Sequence, residues 1–522
     1  MTLLKRLVGS TFGPLFLLGA FIALTPGCKV GPDFAPPVVS MPEVWNQELP
    51  QNAELAPQNE LIDTSWWTVF QDPKLDQLVY DAANSNLDLR VTGARIMEAR
   101  YARGVVAGNL FPSISTATEY TRNQISTNGN PFGFTSGSLP GFPGFAPFDL
   151  FSNGFDASWE LDLFGKVRRS VEAADAEIGV AVEDHRAVAV SLFAEVASNY
   201  MDLRTIQEQI KIAMDNARVQ EETEKLIKDK LDAGNTTILE VSQATSVLRN
   251  TQATIPGLRS QLRGVMHRLC VLRAEIPHDL EPELGTAPIP KAPEQVLLNL
   301  PVSLIRQRPD VRRVEREIAA QTARVGVAVS DLYPDVSLLG TFNWEAVDAA
   351  NLFEGGSISY RLAGPSIRWK IIQFGRIRNN IRVQDTRLQE AMLRYESTVL
   401  RSLEEVETAL NAYVELQERL RLLDQADAAA TKAEEVARTR WNEGAESYQT
   451  VLDAQKFRLV VQEQRVSTQG NVAQKLIALY RALGGGWQFQ ALNGMAIEGG
   501  SPDQPTADQE PETVPTPDSA SS

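Results

Sequence analysis

The sequence contains few of the residues on which metal sites and disulfides depend. Its 522 residues include two cysteines, Cys28 and Cys270, and three isolated histidines, His185, His267 and His278. None of these side chains stands at the spacing of a zinc motif, and a phosphate-binding Gly-Lys-Ser loop is absent. We therefore predict no enzyme activity, no catalytic residue, no metal site and no cofactor. Cys270 lies in an apolar helical pattern and is predicted to be a buried thiol.

Long apolar runs and positive charge are also scarce. After the first thirty residues, no stretch reaches the roughly 18 apolar residues that a membrane-spanning helix needs. Acidic residues exceed basic ones, with 66 Asp and Glu against 50 Lys and Arg and a formal net charge of −16. This acidity argues against a nucleic-acid partner. We predict no helical membrane span in the mature chain.

The first 28 residues have the layout of a bacterial secretory signal. Lys5 and Arg6 precede an apolar run, which ends in Thr25-Pro26-Gly27-Cys28. A cysteine directly after a small residue at this point is the substrate of lipoprotein processing, although Thr25 stands where leucine is usual. We predict a signal peptide over residues 1–27, lipid attachment at Cys28, and an N-terminal lipid-anchored periplasmic segment over residues 28–85. The alternative is an ordinary signal peptide in which Cys28 is incidental.

The sequence contains a long internal repeat. Phe164-Gly165 returns as Phe374-Gly375, 210 residues later, and Phe111-Pro112 returns as Tyr333-Pro334, 222 residues later. The offset of 210 residues also relates the sequence that follows each Phe-Gly pair, and the offset of 222 also relates the sequence that precedes Phe111-Pro112 and Tyr333-Pro334. Two structural repeats are therefore predicted, over residues 86–275 and 309–487, joined by a linker over residues 276–308.

Each repeat contains one predicted β-hairpin, over residues 113–163 in the first and 335–371 in the second. Apolar and polar residues alternate along the strands, which places apolar groups on one face. A phase shift near Gly364-Pro365 indicates a bulge. The segment Asn128 to Phe155 is dense in Gly, Pro and Phe, and we interpret it as a long loop between the first two strands.

The rest of each repeat is predicted to be helical, because proline is absent and glycine scarce over residues 166–231 and 376–441. The alternating spacing of Val399, Leu403 and Val406 is that of a coiled-coil seam. Rods of this length would reach roughly 100 Å at about 1.5 Å per residue. The predicted helices cover residues 86–108, 166–231 and 238–273 in the first repeat, and 310–330, 376–441 and 448–483 in the second.

Four amphipathic strands are too few to close a barrel within a membrane, because about eight are needed and open strand edges are not tolerated in lipid. The apolar seam of a long helix likewise has to be buried against neighbours. Both features predict a ring of identical subunits, mainly α-helical, with a transmembrane β-barrel at one end and a helical tube at the other.

Five motifs follow one another in a fixed order along this duplicated chain. They are Gly27-Cys28-Lys29-Val30-Gly31-Pro32-Asp33-Phe34, Trp66-Trp67-Thr68-Val69-Phe70, the paired Phe-Gly turns, Arg306-Gln307-Arg308-Pro309-Asp310-Val311-Arg312, and Tyr448-Gln449-Thr450-Val451-Leu452-Asp453-Ala454-Gln455. Together they resemble the TolC-type outer membrane efflux proteins, in the lipoprotein branch that serves resistance-nodulation-division (RND) pumps. The resemblance implies a homotrimer with a 12-stranded barrel in outer-membrane lipid and a 12-helix periplasmic tube. It also implies two partners, a periplasmic adaptor (membrane fusion) protein and an inner-membrane RND transporter.

The implied function is that of a passive exit duct in the outer membrane of a Gram-negative bacterium. It would carry small molecules, such as drugs and toxic compounds, from the periplasm or the inner-membrane pump to the exterior. One alternative is the same duct used for type I protein secretion. A second alternative is a periplasmic coiled-coil scaffold without a pore, which the amphipathic strands disfavour.

Two glycine-marked corners between the paired helices are the predicted working end. The resemblance makes them the pore gate and the adaptor-docking tips. Arg440 and Lys230 are expected to hold the closed state by pairing with acids of neighbouring subunits. The predicted gate residues are Asp453, Glu446, Glu443, Arg440 and Asp232, and the predicted docking residues are Gly234, Leu239, Gly444, Tyr448 and Leu452.

Two further expectations concern charged and polar segments. Carboxylate pairs such as Glu434-Glu435 are expected on exposed helix faces rather than in an acid–base site. Residues 488–522 are rich in Pro, Asp, Glu, Ser and Thr and are predicted to form a disordered acidic tail.

Overall fold

The structure is a computed structural model that describes residues 28–38, 53–55, 65–124, 147–292, 296–298 and 307–488. The predicted signal peptide and all but the first residue of the predicted acidic tail lie outside the described residues, as does most of the predicted loop between the first two strands. Among the described residues, no helix is both long and apolar enough to cross a membrane.

The segment before the first repeat contains a short strand and a helix. Strand β1 (Ala53–Leu55) is followed by a 3₁₀ helix (Trp66–Phe70) and by helix α1 (Pro73–Ser85). The Asp72 side chain caps α1 by accepting a hydrogen bond of 3.0 Å from the Lys74 backbone N–H, and Pro73 occupies the first helical position. Sequence analysis assigned no helix to this segment.

The two repeats contain the same elements in the same order. In the first, helix α2 (Leu87–Gly108) leads into strands β2 (Ser113–Asn123) and β3 (Phe148–Leu161) and then helices α3 (Lys166–Asp232) and α4 (Ile238–Leu272). A single-turn helix α5 (Glu281–Leu284) and strand β4 (Val296–Leu298) follow. The second repeat consists of α6 (Pro309–Ser330), β5 (Asp335–Ala346), β6 (Ile358–Arg368), α7 (Arg376–Asn442) and α8 (Tyr448–Ala482). The long helices α3 and α7 each have 67 residues, and α4 and α8 each have 35.

The two hairpins form one antiparallel sheet in the order β2-β3-β5-β6. The register places Phe155 opposite Phe342 where the two repeats meet. The predicted bulge is confirmed, because the pairing of β5 with β6 shifts across Gly364 and Pro365. The predicted loop is wrong at its end, since β3 begins at Phe148. Cross-strand pairing outweighs the loop-like composition there.

The middle of the molecule is held by a large apolar cluster to which both repeats and the N-terminal segment contribute. Trp66 stacks on Tyr480 at a centroid distance of 5.3 Å, and Trp67 meets Phe193 edge-on at 5.1 Å. Both tryptophans are almost fully buried. Because aromatic pairs add to the free energy of burial, this segment fastens α3 to α8. The prediction of a buried thiol is confirmed, since Cys270 belongs to the same cluster.

Candidate functional site: the helical corners and the N-terminal anchor

The corners between the long helices have identical backbone geometry. Gly234 follows α3 and Gly444 follows α7, and each has φ of +75°. The Asn235 N–H donates to the Lys230 carbonyl at 2.8 Å, and the Gly234 N–H donates to the Leu231 carbonyl at 2.8 Å. The corner after α7 repeats this pattern 210 residues later. These paired bonds form a Schellman motif, in which a left-handed residue ends the helix and glycine is favoured.

An apolar core lies inside the corners, and we call it the tip cluster: Ile227, Val241, Ala244, Ala437, Trp441, Tyr448, Val451 and Leu452. All four long helices contribute to it. The two corners are therefore one packed unit. Tyr448 and Leu452 were predicted to contact the adaptor directly, but each is only 1% exposed and supports the corner from inside. Leu239 is 62% exposed, so its side chain is accessible in the single chain.

One contact across the repeats was not visible in the sequence. The Lys230 ammonium lies 3.6 Å from the ring centroid of Trp441, which in turn packs on Tyr448 at 5.4 Å. A cation over an indole face is attracted by the ring quadrupole. Lys230 therefore has a partner within its own chain, and its pairing with a neighbouring subunit stays a prediction. Burial and the nearby Glu240 carboxylate raise the pKa of Tyr448 to about 12.

Three of the predicted gate residues lie together on the second corner. The Arg440 guanidinium is 3.5 Å from the Glu446 carboxylate, and the Thr450 hydroxyl lies 3.4 Å from that carboxylate's second oxygen. One turn further along α8, Asp453 accepts a hydrogen bond of 2.9 Å from Gln449. Arg440 is 60% exposed, so this ion pair is worth little to stability and is easily exchanged. Of the other two, Glu443 is exposed on the same corner and Asp232 is exposed on the first.

A buried carboxylate lies above the corner in each repeat. Glu434 is 6% exposed, so its predicted place on an exposed helix face is wrong. Its carboxylate accepts hydrogen bonds from Arg458 at 2.6 Å and from Arg438 at 3.2 Å. In the first repeat Glu224, also buried, accepts a bond of 2.6 Å from Thr245. Leaving a buried carboxylate without its partner is costly, so these contacts fix how each helix pair meets above the corner.

The described chain begins at the opposite end, beside the turn that joins β3 to α3. Arg169 is 1% exposed and donates to the Val30 carbonyl at 3.0 Å and to the Gly31 carbonyl at 3.1 Å. Gly31 has φ of +90°, and a Cβ there would lie 2.4 Å from the Gly326 Cα. Cys28 is exposed next to this anchored segment. The sequence motif contained Gly31 but gave no sign that Arg169 would hold it.

Each repeat contains the same tryptophan hydrogen bond, which stiffens the base of the sheet. In the first, the Trp159 indole N–H donates to the Leu110 carbonyl at 2.9 Å, and in the second the Trp369 N–H donates to the Leu332 carbonyl at 3.0 Å. Each bond ties the end of a strand to the connection that enters the hairpin. The internal repeat is thus preserved down to single hydrogen bonds.

Comparison with known proteins assigns this architecture to a family. The family model described as outer membrane efflux protein matches residues 78–269 and 300–485, one stretch for each repeat. The chain belongs to the outer membrane efflux protein family. Its function is that of an outer-membrane exit channel in an efflux system.

Relatives of this outer membrane efflux protein match along nearly their whole length. It is 28% identical over 451 residues to the pyoverdine export outer membrane protein OpmQ of Pseudomonas putida, covering 86% of this chain and 93% of OpmQ. It is 27% identical over 472 residues to the cation efflux system protein CusC of Escherichia coli, covering 90% and 97%. The solved structure of the outer-membrane channel OprN is 32% identical, with a TM-score of 0.79 over 88% of this chain and all of OprN.

Proposed function

We propose that this outer membrane efflux protein assembles as a homotrimer whose sheets form a 12-stranded barrel and whose long helices form a 12-helix periplasmic tube. The duct passively carries small molecules that an inner-membrane RND transporter delivers through a periplasmic adaptor. The observation that carries this proposal is the open outer edge of β2 and of β6, at the two sides of a sheet built from two equivalent hairpins. Open edges are not tolerated in lipid, so β6 has to pair with β2 of another copy.

The internal repeat supplies the register of that pairing. Ala157 pairs with Gly340 where β3 meets β5. The equivalent of Ala157 in the second repeat is Ile367 of β6, 210 residues later, and the equivalent of Gly340 in the first repeat is Thr118 of β2, 222 residues earlier. The same pairing between copies therefore places Ile367 of one copy opposite Thr118 of the next. Three copies joined in this way give six equivalent hairpins and a closed ring.

Two exposed aromatic residues support the same arrangement. Phe164 of the first repeat stacks on Tyr333 of the second at a centroid distance of 4.7 Å. Their equivalents, Phe374 and Phe111, are 99% and 70% exposed, and Phe374 has the strained φ of +45°. A strained backbone with a fully exposed aromatic ring is expected where a partner covers it. The repeat makes Phe111 of the neighbouring copy that partner.

Cysteine pairs test this ring. In an antiparallel sheet, residues directly opposite have the separation that a disulfide needs. Thr118→Cys with Ile367→Cys should give covalent dimers and trimers on oxidation, seen on a denaturing gel without reductant. The matched control, Ala117→Cys with Ile367→Cys, shifts one side chain to the other face and should give none. Equal cross-linking of both pairs, or of neither, would contradict the proposed ring.

We further propose that the corners form the gate. Arg440 and Glu446 form a clasp within each chain, and Arg440 holds the closed state by also pairing with acids of the neighbouring subunit, among them Glu443, Asp453 and Asp232. Three-fold repetition of such acids at a constriction favours cationic cargo. Since the Arg440 pair is exposed, breaking it should change the opening of the channel far more than the stability of the fold. Single-channel recording of Arg440→Ser is the test.

The adaptor is proposed to dock on the outer surface of the corners, at Gly234, Gly444 and Leu239. Tyr448 and Leu452 act indirectly, since both are buried in the tip cluster behind this surface.

A cysteine at Ala445 should cross-link to the adaptor in cells, because this residue is exposed on the second corner. Asp215→Cys, exposed on α3 several turns before the corner, is the matched control and should give no adduct. If the Ala445 variant supports efflux yet gives no adduct, the adaptor docks elsewhere.

Cys28 is proposed to carry the lipid anchor. The segment that follows it is fixed by Arg169 beside the base of the sheet, so an acyl chain on this exposed thiol would lie near the membrane. Mass spectrometry of the mature N-terminus tests this directly. A mature chain that begins elsewhere, or an unmodified Cys28, would leave the ordinary signal-peptide interpretation.

Among the cargo alternatives, small molecules fit better than secreted proteins. The relatives OpmQ and CusC are named for pyoverdine export and cation efflux, and both names describe small cargo. The unlike cargoes of relatives that share this fold indicate that the inner-membrane pump does most of the selecting. The scaffold without a pore is the least favoured alternative, since it gives no reason for an amphipathic four-stranded sheet.

A further inference from the structure

The end of α4 brings together a thiol, a carboxylate and an imidazole that the efflux function does not use. Ligand atoms from Cys270, Glu275 and His278 lie within 4.8 Å of one another. Cys270 forms the buried floor of this group, Glu275 is partly buried, and His278 is exposed at its rim. The cluster lies at the far end of α4 from the corners, at the point where the chain leaves the first repeat.

The backbone holds these three residues in place. Ala274 has φ of +58°, an uncommon conformation for a residue other than glycine, and it turns the chain back over the helix end. The Glu275 N–H then donates to the Cys270 carbonyl at 2.8 Å. Asn86 fixes the same helix end by donating to the Leu272 carbonyl at 2.9 Å. The backbone that carries these three side chains is therefore fixed by the capping of the helix end.

The separation of the two strongest ligands fits a tetrahedral metal ion. The Cys270 Sγ and the His278 Nδ1 are 3.6 Å apart. A zinc ion at about 2.3 Å from sulfur and about 2.0 Å from nitrogen, with a tetrahedral angle between them, separates these atoms by roughly 3.6 Å. The ion needs the His278 tautomer with its proton on Nε2. Nδ1 then no longer donates to the Ile276 carbonyl, 2.9 Å away, so the imidazole ring turns from that oxygen toward the ion.

Glu275 is able to join as the third ligand. Its carboxylate is now paired with Arg273 at 2.9 Å, but Arg273 also contacts Glu283 at 2.8 Å and Asp81 at 3.5 Å. Turning Glu275 toward a metal therefore leaves the guanidinium with two carboxylate partners. The exposed side of the cluster leaves room for a water molecule as the fourth ligand.

We propose that Cys270, Glu275 and His278 form a binding site for a borderline-soft divalent cation of the Zn²⁺ type. The bound ion joins the thiolate of the core to the segment that leaves α4, and it fastens that segment to the helix. Binding releases the thiol proton to solvent, as metal–thiolate bonds require.

Cobalt provides the direct probe, because a thiolate ligand gives Co²⁺ a charge-transfer absorption that oxygen and nitrogen ligands alone do not. The experiment uses the full mature chain, purified in detergent without a histidine tag and stripped with a chelator. One Co²⁺ per chain should bind with this absorption, and Zn²⁺ should displace it. Cys270→Ser should abolish the band, and His278→Gln should weaken binding by more than about tenfold.

Matched controls separate ligation from folding. His267→Gln removes an exposed histidine on the same helix and should leave binding unchanged. If Cys270→Ser unfolds, the exposed His278→Gln variant still decides the matter: Zn²⁺ should slow alkylation of Cys270 in the parent chain but not in this variant. Absence of a thiolate band in the parent, or equal binding by the parent and His278→Gln, would overturn the site.

Discussion

Tyr448 is buried inside the corner, and this burial controls the ionisation of its hydroxyl. Its ring belongs to the tip cluster, against Trp441, and its hydroxyl is kept neutral by burial and by the carboxylate of Glu240. Placed by sequence on the docking surface, it instead carries the internal contact between the two repeats. Its substitution should therefore affect the stability of the corner before it affects any partner.

Tyr448→Phe should make the chain less sensitive to alkali. The pKa of Tyr448 is about 12 in the folded chain and about 10 in an unfolded one. Between these values the unfolded chain loses the proton first, so the free energy of unfolding falls by about 1.4 kcal/mol per pH unit through this group. Thermal melts from pH 9 to 11 should show a shallower decline for Tyr448→Phe. An identical decline would mean that Tyr448 titrates normally.

At the scale of elements, the Schellman corners decide where the long helices end. Their glycines face open space, since an added Cβ would meet no atom within 4 Å at Gly234 or at Gly444. Steric crowding is therefore not the reason for glycine at these positions. The reason is the left-handed backbone itself, which costs an L-residue about 1–2 kcal/mol.

Gly234→Ala and Gly444→Ala should each destabilise the corner by this amount. One to two kcal/mol corresponds to roughly 5- to 30-fold faster hydrogen exchange in the peptides that contain Asn235 and Ala445. Gly257→Ala is the matched control, because Gly257 lies within α4 and a Cβ there also meets nothing within 4 Å. That change should stabilise the helix by about 0.5–1 kcal/mol. Faster exchange in the control as well would show that added bulk, and not backbone conformation, is responsible.

For the whole molecule, the features that depend on long periodic patterns were predictable from the sequence. The 210-residue repeat reappears as helices of equal length and as equivalent bonds from Trp159 and Trp369, because both copies obey the same local rules. The bulge at Gly364-Pro365 was predictable for the same reason, since one extra residue reverses the alternation of a strand.

Contacts between segments that are far apart in the chain were not predictable from the sequence. The burial of Glu434 depends on Arg458 from the next helix, and the role of Arg169 depends on a segment nearly 140 residues earlier in the chain. Residues from Phe148 onward join a strand because Tyr120 and Phe151 pack across the hairpin at 4.9 Å, a contact that composition does not reveal. Helical spacing also places Tyr448 near a corner without indicating whether it faces outward.

The most direct test of the central claim is single-channel conductance of the purified mature chain in planar bilayers, with its subunit number determined on the same sample. We expect a trimer of small, cation-preferring conductance. Arg440→Ser with Glu446→Ala should increase that conductance, whereas Arg421→Ser, which breaks the exposed pair with Glu418 higher on α7, should not. Corner variants that stay as closed as the parent would contradict the clasp. A monomer that never inserts would contradict the channel itself.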